Sequence, residues 1–422
     1  MTGSHESGHE LAGLVVARVG RVEETGDPFE PYRLVDPGGL VVAPVAAFLK
    51  DLQAAGRSVA TQRSYSLDLL RWFRFLWTVE VPWEQATRVE ARDFCRWVQI
   101  GGKPATTHWR RKAAGQSSAP VLVASTLRPN PVTGKSSPGL RYALATAAHG
   151  ESVLRGFYEF HLDAGTGPMV NPFPLARERR AGRAGAHRNP MQAQRRERVG
   201  RYRPRLVDRP PRCIPDEKFN ELFVGLGSHR DRALVAFFVS TGARASELLG
   251  VRCGDLDVGS QLITVIRKGS RALQQLPASP DAFVWLRLYQ AEFHGQLPAG
   301  RDDPLWWTLR RPFRALTYHA ARAMFNRVNA ALGANWSLHD LRHTAAYRMA
   351  RDPDMPLTDV QWVLGHAQLT TTQRYTAAPA EEVIASVLAH HARRASAPST
   401  PAASAPEYRS ESLNVLFPDV SK

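Results

Sequence analysis

Leu338-His339-Asp340-Leu341-Arg342-His343-Thr344 is the stretch on which the reading of this chain turns. His339 and Arg342 stand three residues apart, which makes them neighbours on one helix face, able to point into one cleft. The helix they imply runs toward Ala350 and stops before Pro353. Upstream, Thr241-Gly242-Ala243-Arg244-Ala245-Ser246-Glu247 reads as a glycine hinge with Thr241 as a helix cap. That places Arg244 in a first helical turn, where backbone amides and the helix dipole already favour an anion. Downstream, Val360, Val363 and Leu364 stripe a helix that closes at Gly365-His366, and nine residues later Tyr375 follows Thr371-Thr372-Gln373-Arg374 on a newly capped helix.

Around these segments lies a domain of mixed pattern. Leu234, Phe237 and Phe238 mark a buried helix, another helix ends at Gly333, and Ile384, Val387 and Leu388 stripe a last one. Residues 261–266 read as a short strand that turns at Lys268-Gly269-Ser270. The first half of the chain carries helical patterns on either side of an insertion. Val45, Phe48, Leu49 and Leu52 share one face, as do Tyr65, Leu69, Trp72, Phe73 and Leu76. Thr87 with Glu90 has capping-box spacing ahead of Phe94, Trp97 and Val98. Residues 101–138 lose all periodicity and read as an insertion. The pattern returns at Val153, Leu154, Phe157, Tyr158 and His161 and ends at Asn171-Pro172.

The expected organisation is therefore a flexible lead over 1–41, a helical domain over 42–174, a basic linker over 175–212, a second domain over 213–394 and a Ser/Pro/Ala-rich tail over 395–422. Charge gives the linker its meaning. The chain carries a formal net charge of +16, and residues 177–212 hold thirteen Arg against three acidic residues. So dense a run of one sign repels itself unless a polyanion neutralises it, which points to nucleic acid and to Arg177, Arg179, Arg180, Arg195, Arg196 and Arg198 as backbone contacts. Lys is used only seven times, so Arg, whose planar fork suits phosphate oxygens, supplies nearly all of the positive charge. Three scattered Cys offer neither a disulfide framework nor a zinc motif. Residues 1–10 lack the run of a signal peptide, and no apolar stretch reaches membrane-spanning length, so a cytoplasmic, nucleoid-associated protein of bacterial or phage origin is expected.

In order and spacing, the motifs around Arg244, His339-Arg342, His366 and Tyr375 resemble the two conserved boxes of the tyrosine recombinase, or phage integrase, family. The resemblance extends over most of residues 42–392; Thr61-Gln62-Arg63-Ser64-Tyr65 and Asn171-Pro172-Phe173 are similar to that family's core-binding domain. It implies a mainly α fold with a small antiparallel sheet, built as a SAM-like core-binding domain and an α+β catalytic domain that close as a clamp on duplex DNA. It implies Tyr375 as nucleophile, with Arg244, Lys268, His339, Arg342 and His366 completing a catalytic set, and Glu247 supporting Arg244. It also implies a homo-tetramer on two recombination sites, an accessory DNA-bending or directionality factor, and no metal or cofactor. The family pattern puts Pro eight residues after the lysine; here Pro277 is nine after Lys268, which suggests a bulge in the hairpin.

The chemistry suits the set. Attack on a phosphodiester gathers charge on the non-bridging oxygens, which the forks of Arg244 and Arg342 can stabilise. A phenol with a pKa of about 10 needs a base, for which His339 is placed, and the leaving 5′-oxygen needs a proton, for which Lys268 is placed. His366 would bond a non-bridging oxygen. Other readings share some residues. His339, His343 and His366 could ligate zinc, although Asp340 stands where a metalloprotease has Glu. A DNA-binding regulator that keeps the fold without catalysis, and a type IB topoisomerase-like enzyme, are the remaining alternatives.

Overall fold

The computed structural model describes residues 9, 11, 13–102, 129–135, 139, 141–176, 199–206, 211–376, 384 and 387–393. The chain divides into two compact units, residues 1–208 and 209–422. The fold is mainly α with small antiparallel sheets, as the sequence indicates.

The first unit is built on α1 (Ala43–Ala54), α2 (Val59–Thr78), α3 (Arg88–Ile100) and α4 (Leu144–Asp163). Each helix buries the stripe its periodicity sets out: Val45, Phe48 and Leu49 from α1, Leu69, Trp72 and Phe73 from α2, Phe94 and Val98 from α3, Val153, Leu154 and Phe157 from α4. Ser58 caps α2 by accepting from Thr61 N–H, and Thr87 with Glu90 forms the expected capping box on α3. Trp72 lies at the centre, its indole N–H donating to Tyr158 Oη at 3.0 Å while Phe173 packs edge-on against it. α4 ends at Asp163, before the Asn171-Pro172 stop read from sequence, because the chain turns through Gly165 at φ 67°. Asn171 instead ties the following loop to α4 by donating to Arg155 O.

The structure corrects two expectations. The lead over 1–41 is not uniformly loose: β1 (Arg21–Glu24) and β2 (Tyr32–Val35) pair as an antiparallel hairpin, and Leu34 and Val35 are buried. The strands are four residues each, too short for periodicity to announce, and burial on the helices is what orders them. The basic segment is not one linker either. Ala176 N–H donates to Val199 O and Arg201 N–H to Pro174 O, both at 2.8 Å, so residues 199–201 are paired with residues 174–176 as part of the first unit. Gly200 lies so close to buried Glu151 that a Cβ there would fall 1.6 Å from the carboxylate, and Tyr202 packs on the core. The insertion behaves likewise: Gly102 and Arg141 form a bridge across its two ends. The six arginines singled out between 177 and 198, and most of the insertion, lie outside the described residues.

The second unit contains α5 (Asp216–Val224), α6 (His229–Thr241), α7 (Ala245–Leu249), α8 (Pro280–Glu292), α9 (Tyr318–Ala331), α10 (Leu338–Arg351), α11 (Leu357–Leu364) and α12 (Leu369–Gln373). β3 (Leu256–Asp257), β4 (Leu262–Ile266) and β5 (Leu273–Pro277) form a three-stranded antiparallel sheet in sequential order. α6 is the hub: Leu234, Phe237 and Phe238 are fully buried, and Trp306, Tyr289, Phe325 and Leu341 belong to the same core. Residues 387–393 are helical beyond α12.

Candidate active site

Arg244 is placed by the way α6 ends. Thr241 turns its hydroxyl back to Phe237 O, and Gly242 bends the chain at φ 60°. A Cβ at Gly242 would also stand 2.9 Å from Leu364 Cδ2, so only glycine fits this junction. The chain restarts at once as α7, and Arg244 is its N-cap residue, one position before the first turn in which the sequence reading places it. The reason is that Thr241 serves the end of α6 and leaves the start of α7 to Glu247, which accepts Arg244 N–H at 3.0 Å and the guanidinium Nη1 at 2.9 Å.

Glu247 is the junction of the site. Its buried carboxylate also accepts Arg267 Nη1 and Lys268 N–H, each at 3.0 Å. Burial alone would raise its pKa; the N–H donors of Arg244 and Lys268 and the Arg244 guanidinium bring it down to about 2. Arg267 is a residue the sequence reading passed over. Ile263, Val265 and Arg267 alternate onto the buried face of β4 and its extension, and that period of two is the signal that marks it. Its guanidinium joins Glu247, Gln274 Oε1 and Val363 O, tying the hairpin to the end of α11.

Lys268 opens the turn and is exposed. The hairpin carries no bulge: pairing runs unbroken from Leu262↔Pro277 to Ile266↔Leu273. The extra residue is taken up in the turn, where Arg271 adopts φ 60° and donates its N–H to Arg267 O.

Arg342, 2% exposed, lies on α10 beneath this layer. Nη1 donates to Gly242 O and Nη2 to Leu364 O, both at 2.6 Å, and Nη2 also meets His366 Nε2 at 3.1 Å. Both Nη2 hydrogens are thus engaged, and among the described residues Nε–H and the second Nη1 hydrogen have no partner and remain for an anion. Burial, then the Arg244 charge, lowers its pKa to about 10, which leaves it cationic at neutral pH. Because Arg342 can only donate, His366 Nε2 accepts, and His366 Nδ1 carries the proton it shares with Thr372 Oγ1 at 2.9 Å. Arg244, Arg267, Gln274, Trp362 and His366 line one cleft of about 1020 Å³.

Tyr375 lies in the turn after α12, 5% exposed, packed with Ala346, Val360 and Leu364. Its hydroxyl meets His343 Nδ1 at 2.8 Å. His339, expected to serve the phenol, is exposed on the same helix and stands edge-on to His343, ring centroids 4.3 Å apart. The sequence reading set His343 beside His339 as a possible zinc ligand; their i, i+4 spacing is the signal that puts both rings on one face. Burial is the main cause that raises the Tyr375 pKa, opposed by the Arg342, Arg374 and Arg244 charges.

Within the second unit the structure joins Arg244 and the Lys268 backbone through Glu247, Arg342 to His366, and Tyr375 through His343 to His339, while the Lys268 side chain is exposed and takes part in none of these contacts. It does not group the histidines as metal ligands. His343 is turned to Tyr375 and His366 to Arg342, and among the described residues no three His, Cys, Asp or Glu side chains come together to hold an ion.

The imidazoles give this unit a pH signature. Burial, then neighbouring positive charge, lowers the pKa of His343 and His366 to about 4 and also lowers that of His339. Unfolded histidines take up protons below about pH 6.5, whereas the folded ones resist until about pH 4. Stability should consequently be complete above pH 6.5 and fall as pH drops through this window, with the urea midpoint moving down. The double change H343Q/H366Q should flatten that slope; an unchanged slope would mean that these rings titrate normally.

Buried Arg342, part-exposed Arg244, the turn at Lys268 and buried Tyr375 all lie in the second unit, on its helical scaffold and its small sheet. Residues 219–382 match the phage integrase family model and residues 45–117 match the model of the phage integrase N-terminal SAM-like domain. The chain belongs to the phage integrase family of tyrosine recombinases. Among its relatives, tyrosine recombinase XerC of Serratia marcescens is 32% identical over 45% of this chain and 60% of its own length. Tyrosine recombinase XerD of Pseudomonas aeruginosa is 34% identical over 35% of this chain and 49% of its own length. The chain thus spans about half the length of the curated relatives it matches. In fold it is similar to the Tn1549 transposon integrase in complex with circular intermediate DNA, with a TM-score of 0.51, 15% identity, and coverage of 82% of this chain and 98% of that one. XerH site-specific recombinase bound to its difH substrate gives a TM-score of 0.51 at 16% identity, covering 83% and 84%.

Proposed function

We propose that the chain is a site-specific DNA recombinase that cleaves and rejoins strands through a 3′-phosphotyrosine. The observation that carries this reading is the contact of Arg342 with His366 and of His366 with the Tyr375 ring, with Arg244 lining the same cleft as His366. Tyr375 Oη attacks the phosphorus, the bond to the 5′-oxygen breaks, and Lys268 Nζ delivers a proton to that oxygen. Arg244 and the free edge of Arg342 hold the non-bridging oxygens as charge gathers there. The phosphotyrosine retains the energy of the broken bond, so a 5′-hydroxyl from another strand can reverse the step without ATP. His366 acts first on Arg342, which its Nε2 orients, and His339 at the exposed rim meets the phosphate.

Two DNA sites and four copies of the chain form the working assembly. The helix at 387–393 supports this, since Val387 and Leu388 are exposed on it and available to a neighbouring copy. The proposed setting is a mobile element, as for the transposon integrase that shares the fold, with an accessory DNA-bending or directionality factor. A nicked suicide substrate carrying the target site, incubated in EDTA, should trap a covalent adduct visible on denaturing gels. Absence of any adduct on a substrate that the protein binds would sink the proposal.

Arg177, Arg179, Arg180, Arg195, Arg196 and Arg198 are proposed to grip the DNA backbone. Changing all six to Gln should flatten the dependence of log K on log salt, by up to about 5 in slope at roughly 0.9 for each phosphate no longer neutralised. An unchanged slope would remove them from the interface.

A further inference from the structure

We propose that His343, rather than His339, is the base that takes the proton of Tyr375. The inference rests on the recombinase reading and assigns one step within it. Among the described residues, the hydrogen-bond partner of the Tyr375 hydroxyl is His343 Nδ1, at 2.8 Å. A buried phenol that is protonated at neutral pH needs an acceptor, and the arrangement that satisfies it has an unprotonated Nδ1 receiving the O–H, with the proton of the ring on Nε2. That is the geometry of a general base already in contact with its nucleophile. His339 is one helical turn away, exposed, and its ring reaches the phenol only through His343.

The groups facing His343 are His339, Asp340 and Arg342 from its own helix and Arg374 and Tyr375 from the segment after α12. Burial, then the charges of His339, Arg342 and Arg374, hold the free imidazole neutral, with Asp340 opposing them. A bound phosphodiester brings negative charge onto the arginines, which removes part of that depression and lets the ring accept a proton when the substrate is present. The step balances. The phenolic proton passes to His343 Nδ1 as the Oη–P bond forms, and the 5′-oxygen leaves with a proton from Lys268 Nζ. In rejoining, the 5′-hydroxyl returns its proton to Lys268, and His343 returns its proton to the departing phenolate.

The test is single-turnover adduct formation on a nicked suicide substrate across pH 5–9. His343→Gln keeps the volume of the ring, and His343→Ala opens space for added imidazole. Both should bind DNA as the unaltered protein does and form adduct on the order of a hundredfold more slowly. The rising limb of the pH profile should be lost in H343Q and kept in H339Q, and imidazole should restore part of the rate of H343A. A substrate with sulfur at the 5′-bridging position needs no proton on its leaving group, so it should rescue Lys268→Ala and leave H343A slow. Rapid cleavage by H343Q, rescue of H343A by the sulfur substrate, or loss of the limb in H339Q alone would overturn the assignment. Failure of the unaltered protein to form any adduct is a different outcome and refutes the recombinase reading itself.

Discussion

Tyr375→Phe should abolish the covalent adduct completely while DNA binding and the fold persist. In the proposed reaction the phenol oxygen is the atom that bonds to phosphorus, and Phe supplies no atom to replace it. The ring itself is structural: it packs on Ala346, Val360 and Leu364, and Phe fills the same volume. What the fold loses is one hydrogen bond to His343, worth about 1 kcal/mol. A thermal midpoint within a few degrees of the original and an unchanged binding isotherm, together with no band shift on a denaturing gel, are the expected results. An adduct that survives the substitution would transfer the nucleophile elsewhere.

Arg342→Ala should have the next largest effect, in two measurements at once. Cleavage should fall by roughly a hundredfold or more, as removal of an oxyanion donor does. Stability should fall as well, because Gly242 O and Leu364 O are each left without this donor in a buried place, at about 1–3 kcal/mol apiece. Arg342→Lys separates the two effects. An ammonium retains the charge but cannot reach both carbonyls and an anion from one plane, so it should recover part of the stability and little of the rate. Full activity in the lysine variant would show that charge alone is needed and that the fork is not.

Much of this site is legible in the sequence because its residues sit in, or at the ends of, short regular elements. His339 and Arg342 share a face by spacing alone, and the glycine that closes α11 announces the turn toward Tyr375. The helical faces of the first unit are legible for the same reason, since each is an uninterrupted stripe of large apolar side chains. The parts that are not legible depend on tertiary contact. The hairpin at Arg21–Glu24 and Tyr32–Val35 is too short to carry a period, and only the helices it covers make it a structure. Arg267 reads as a surface charge until the sheet turns it inward onto Glu247. His343 and His339 are equivalent by spacing, and only the position of the Tyr375 segment distinguishes them. The long basic run reads as a connector because its composition says nothing of where its two ends meet.

That last feature bears on how this protein tolerates change. Residues 102 and 141 are paired, and 176 is hydrogen-bonded to 199, so each of the two long stretches begins and ends at residues that are joined to one another. Lengthening or shortening either one alters no path through the helices of the first unit. A descendant of this chain can therefore change the length of either stretch while the apolar interior of the first unit is inherited intact.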